Sequence, residues 1–261
     1  MDTNRMIEKV LAGVAARMEC QLFNSPEKLV SAVPESSVLS EVATSDSFEL
    51  SILKPDYTSN EVVQLCSQAG QVRISAVRVP SQWTSLCAFK LGGTGVKVCT
   101  VVGHPFGTLS QRVKAFEART AVSDGAEEID FILNSGLTAS GDLNDIKQEI
   151  LNIRRVCRPR IRLSAVICLE GNSRETLLWL TRNGIGLGIN GIKLSFKSGY
   201  GQINTAEVKS LIDIKGEHLS IGVSGNLQDS ETVSKLLNIG VNRIGVSTIP
   251  AFLVNNTSDL G

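Results

Sequence analysis

The chain has 261 residues, with 26 basic and 26 acidic side chains and no formal net charge at neutral pH. That balance removes the electrostatic case for binding nucleic acid, no apolar run approaches the roughly 20 residues that span a bilayer, and no signal peptide is apparent. Six scattered cysteines, without a CxxC pair or a histidine nearby, argue against a disulfide framework or a zinc site. The expectation is a cytoplasmic protein long enough to bury a substantial core.

The first segment, NRMIEKVLAGVAARM, places Met6, Ile7, Val10, Leu11, Val14 and Met18 on one helical face. A stretch containing serine and proline, FNSPEKLVSAVPESS, follows it. Residues 1–45 therefore read as an extension, an amphipathic helix plus linker, ahead of a single domain over residues 46–261. The helix either packs on that domain or docks on a partner; its basic face is too weak for a membrane-surface helix.

From residue 46 onward, short β-type runs alternate with helical patterns. The strand candidates are SFELSIL, VRISAVRVP, VKVCTVVGHP, EEIDFILN, IRLSAVICLE, INGIKLSF, HLSIGVSG and RIGVST. Helical segments such as NEVVQLCSQA, LSQRVKAFEARTAVSDG, LNDIKQEILNIRRVC, ETLLWLTRN, AEVKSLIDI and SETVSKLLNIG lie between them. Several strand runs are apolar on both faces, as parallel strands covered by helices must be. Eight such units predict a (β/α)8 TIM barrel with an N-terminal helical extension. A doubly wound open sheet is the alternative, but no GxGxxG follows the first strand.

In a barrel, chemistry sits where strands end and βα loops begin. The polar residues to weigh there are Asp130, Glu170, Lys193, Ser224, Gly225, Asn226, Ser247 and Thr248. Alternate side chains of a strand share a face, so Lys193 and Ser195 separate from Ile192 and Leu194, and Asp130 from Ile129 and Phe131. Both ionisable side chains are expected inside the barrel. Such a pair could simply fill space. A desolvated lysine, however, is also the free-amine nucleophile that attacks a carbonyl to give a Schiff base.

The stretches ILKPDYTSNEVVQLCSQA, VCTVVGHPFG, GAEEIDFILNSGLTASGD, AVICLEG, NGIKLSFKSGYG, SIGVSGN and NRIGVSTI occur in the order found in the deoxyribose-phosphate aldolase family, which this chain resembles over about residues 46–252. The resemblance implies a class I aldolase joining acetaldehyde to glyceraldehyde 3-phosphate, or cleaving 2-deoxyribose 5-phosphate, without metal or organic cofactor. It places Lys193 at the Schiff-base lysine and Asp130 at the proton-shuttling aspartate. Glu49, Ser51 and Glu170 fall near substrate-pocket positions. Ser224, Gly225, Asn226, Ser247 and Thr248 match the phosphate cradle. The implied partner is a small aldehyde or sugar phosphate, with a homo-oligomer as a further expectation.

Four departures stand out. The family's second lysine, on the seventh strand, falls at Gly222, and a fifth-strand lysine at Val166. The basic residue after the Gly-rich turn is Gln228, and the second-strand cysteine falls at Val77, next to Arg78. Arg78 or Lys197 could supply the missing positive charge. Other readings are a Schiff-base lyase for an unphosphorylated aldehyde and a non-catalytic homologue kept for binding or assembly. The amino-terminal helix is similar to targeting peptides of enzymes in bacterial microcompartments, which would make a compartment shell the partner of residues 1–20.

Overall fold

A computed structural model of the chain describes residues 44–169, 173–195, 203–225, 227, 230–250 and 253. The amphipathic segment and linker of residues 1–43 lie outside the described residues.

Eight strands form where the sequence alternates β-branched and polar residues: β1 (Phe48–Ser51), β2 (Ala76–Pro80), β3 (Lys97–Val102), β4 (Glu128–Ile132), β5 (Arg162–Cys168), β6 (Gly191–Ser195), β7 (Ser220–Ser224) and β8 (Arg243–Val246). Each pairs in parallel with the next. The deciding contact is between first and last: β1 pairs with β8, Glu49 opposite Gly245, and closes the sheet. The open-sheet alternative is thereby excluded.

The intervening helices are α1 (Ser59–Val72), α2 (Thr84–Leu91), α3 (Gln111–Ser123), α4 (Ser135–Ser140), α5 (Leu143–Val156), α6 (Arg174–Asn183), α7 (Thr205–Ile214) and α8 (Ser230–Asn238). Local sequence explains several starts. Thr58 and Glu61 form a reciprocal capping box on α1, and Asp142, Ser173 and Asn204 cap α5, α6 and α7 through their side chains. Helix α2 is absent from the helical segments read in the sequence. It buries just Thr84, Cys87 and Leu91 and leaves Phe89 80% exposed, so no clean amphipathic stripe announces it. Among the described residues, no helix is long and apolar enough to cross a membrane.

Strand parity divides the core in two. Outward residues such as Leu50, Val77, Val79, Ile129, Phe131, Ile192 and Leu194 join one large cluster with the helices. A small separate cluster, Val101, Ile132 and Val166 with Leu53 against it, lies on the opposite faces of the strands. Most of the remaining inward positions are polar or glycine, with Ala76, Pro80 and Cys99 among them, and they carry the site.

Candidate active site

Charged side chains from five strands meet in one network inside the barrel. Lys193 Nζ, on β6, donates to Glu49 Oε2 of β1 at 2.5 Å and to Asp130 Oδ2 of β4 at 2.6 Å. The same Asp130 oxygen accepts from Arg78 Nε of β2 at 2.6 Å. On the other side, Arg243 of β8 lies 3.7 Å from Glu49 and bonds both oxygens of Glu128, at 2.5 and 3.2 Å. Three carboxylates thus face three cations in one chain of contacts, which balances the buried charge. Missing side chains make the room: a Cβ on Gly222 would lie 3.2 Å from Lys193 Cγ, and one on Gly245 3.3 Å from Glu49 Oε1.

The groups tune one another. Burial alone would disfavour the Lys193 ammonium, but the Asp130 and Glu49 carboxylates outweigh it and raise its pKa. Burial would likewise raise Asp130, yet the Lys193 and Arg78 charges pull it down to about 2. Burial also works against the Arg78 charge, and Asp130 and Glu49 more than restore it. The resting site therefore holds an ammonium and a carboxylate. Among the described residues, two wholly buried side-chain atoms lack any hydrogen-bond partner, Asp130 Oδ1 and Ser51 Oγ. Ser51 faces inward on β1, in register with Arg78.

A second buried lysine shapes the loop after β3. Lys114 of α3 is fully buried, and its Nζ donates to Gly107 O at 2.6 Å, to Ile132 O at 3.1 Å and to the Glu149 carboxylate of α5. Gly107, at φ +67°, lies so close to the Leu133 carbonyl that no Cβ fits. Burial lowers the Lys114 pKa and raises that of Glu149, each opposed by its partner. The loop so anchored carries His104 beside the barrel end.

No protein-family model matches the chain. Individual relatives do. The deoxyribose-phosphate aldolase of Actinobacillus succinogenes is 31% identical over 196 residues, covering 75% of this chain and 87% of that protein. The chain belongs to the deoxyribose-phosphate aldolase family. The deoxyribose-phosphate aldolase of Clostridium tetani is 30% identical over 198 residues, covering 75% of this chain and 91% of its own length. A solved structure described as QR15, an aldolase, superposes with a TM-score of 0.74 at 24% identity, covering 84% of this chain and all of that one; that likeness concerns the fold.

Within the deoxyribose-phosphate aldolase frame, Lys193 and Asp130 both face inward, as strand parity predicts, and they meet Glu49 there. Gly222 stands beside Lys193 in register, and Val166 faces inward, so the sequence placed both departures at interior positions. Val77 does not follow. It packs against the helices, and the inward residue of β2 is Arg78. Ser224 ends β7 and Gly225 follows it, while Ser247 and Thr248 follow the neighbouring β8, at one end of the barrel. Glu170, Asn226, Lys197 and Gln228 lie outside the described residues. Glu128 and Arg243 were missed, although EEID and RIGV carry the signal: each lies two residues before an inward position.

Proposed function

We propose that the protein is a class I aldolase that cleaves 2-deoxyribose 5-phosphate to acetaldehyde and glyceraldehyde 3-phosphate, or runs the reverse condensation, with Lys193 as nucleophile. The observation that carries this reading is the Lys193–Asp130 hydrogen bond inside the barrel, with the second Asp130 oxygen left unpaired.

In the condensing direction Lys193 first gives up a proton, for which Glu49 is a bonded acceptor. Its lone pair then attacks the donor carbonyl, and the carbonyl oxygen leaves as water to give an iminium. Asp130 removes a proton from the adjacent carbon, forming the enamine. The enamine carbon bonds to the acceptor carbonyl carbon, and the oxygen there takes the proton held by Asp130. Water then releases Lys193. Ser224, Gly225, Asn226, Ser247 and Thr248 are the proposed phosphate cradle, where backbone N–H groups and hydroxyls meet a dianion.

With Gly222 and Val166 in place of lysines, the interior cations near the nucleophile are Arg78 and Arg243. Neither frees Lys193 from its two carboxylates, so turnover should be slow at neutral pH and rise toward alkaline pH. The test is release of acetaldehyde from 2-deoxyribose 5-phosphate, followed by proton NMR between pH 6 and pH 10. Release that climbs with pH supports the assignment; no release at any pH refutes it. For residues 1–20, by the same sequence reasoning, we propose docking on a compartment shell.

A further inference from the structure

The inward residue of β2 is a guanidinium, and its bonding to the described residues is incomplete. Arg78 is 4% exposed and uses only Nε, on Asp130 Oδ2, among the described residues. Nη1 and Nη2 have no bonding partner there, yet they are not among the wholly enclosed polar atoms that lack one. They therefore keep a small solvent-accessible edge. His104, in the loop after β3, lies within reach of this charge: after burial, Arg78 is the group that lowers its pKa.

Three unsatisfied groups thus lie on neighbouring inward positions: Ser51 Oγ on β1, the Arg78 Nη edge on β2 and Asp130 Oδ1 on β4. Together they offer two kinds of donor and one acceptor. A carbonyl or alkoxide oxygen needs donors, and once protonated the same oxygen needs an acceptor. Arg78 is one carboxylate oxygen removed from Lys193, so this oxygen would belong to the carbon that joins the lysine-bound donor.

We propose that Arg78 is a catalytic residue whose Nη groups hold the acceptor aldehyde's oxygen and stabilise it as an alkoxide, with Ser51 as a second donor. As the carbon–carbon bond forms, the carbonyl π pair moves to that oxygen. Asp130 then delivers through Oδ1 the proton it took from the donor carbon, and no other reactant is required. Cleavage reverses each step. The idea rests on the Schiff-base reading above but makes a separate claim, because Arg78 serves only the carbon–carbon step. Formation of the iminium and enamine uses Lys193, Glu49 and Asp130 and does not call on Arg78. Without Arg78, Asp130 keeps its bond to Lys193 and stays ionised near neutral pH.

The experiment compares wild type, Arg78→Met, Arg78→Lys and Asp130→Asn in three assays. These are borohydride trapping of acetaldehyde on Lys193, deuterium exchange into the acetaldehyde methyl group in D2O, and cleavage of 2-deoxyribose 5-phosphate. Arg78→Met should trap and exchange within about threefold of wild type while cleavage falls roughly hundred- to thousandfold, the usual loss on removing an oxyanion donor. Arg78→Lys should recover part of the cleavage, since an ammonium still donates. Asp130→Asn should lose exchange and cleavage together. If Arg78→Met loses exchange as severely as cleavage while still trapping, Arg78 acts through Asp130 and the proposal is wrong. Unchanged cleavage in Arg78→Met also overturns it. Failure of the wild type to trap acetaldehyde would instead overturn the aldolase reading, and this role with it.

Discussion

Lys193 and Asp130 share a 2.6 Å hydrogen bond that uses one oxygen of the carboxylate and leaves the other without a partner in a closed interior. A pair that only balanced charge would satisfy both oxygens, because an unmet buried acceptor costs about 1–3 kcal/mol. The cost is borne here beside the residue proposed as nucleophile, where an open acceptor is useful for moving a proton.

The second carboxylate on Lys193 sets the pH dependence. Glu49 is one of two acids that hold the ammonium above its ordinary pKa. Glu49→Gln removes that charge and leaves Asp130, so the pKa of Lys193 should fall. The alkaline rise in acetaldehyde release should then begin at lower pH than in wild type. A rise at unchanged pH would show that deprotonation of Lys193 does not limit the reaction.

Glu149 tests structure apart from chemistry. It is fully buried with Lys114, which also ties the carbonyls of Gly107 and Ile132. Glu149→Ala leaves an ammonium buried without its carboxylate, a change that typically costs about 3–5 kcal/mol. Urea unfolding should show a loss of that size. Trapping on Lys193 should survive wherever the variant is folded, because the proposed chemistry does not involve this pair. A loss under 1 kcal/mol would mean that the two carbonyls alone satisfy Lys114.

Much of this arrangement was legible in the sequence because strand parity is a two-state code. Once Lys193 is placed inward, so is Ser195, and the same rule fixes Asp130. What parity cannot give is which inward residues meet across the barrel. That depends on the stagger of eight strands, set by pairings such as Val101 opposite Asp130 and Lys193 opposite Gly222. Glu128 and Arg243 were missed for that reason: each looks like a strand-end charge until closure brings them together. Val77, read as the family's cysteine position, faces the helices while its neighbour Arg78 faces inward, because adjacent strand residues point to opposite faces. Helix α2 escaped notice because it buries so little.

Residues 1–20 carry the docking proposal. If their apolar face has no permanent partner within the chain, deletion should leave the melting temperature and acetaldehyde release unchanged. Fused to a soluble reporter, the segment should co-purify with compartment shell proteins of the same organism. A truncated protein that melts several degrees lower, with a reporter that binds no shell protein, would make the segment a structural helix.

The central claim is that Lys193 forms the Schiff base, and intact mass spectrometry after borohydride reduction with acetaldehyde tests it most directly. Wild type should gain C2H4, one ethyl group in place of an amine hydrogen, which peptide mapping places on Lys193. Lys193→Met should remain folded, because Asp130 keeps Arg78 and Glu49 keeps Arg243 nearby, and should gain nothing. A wild-type protein that gains no mass, or a Lys193→Met variant that gains as much as wild type, would contradict the account.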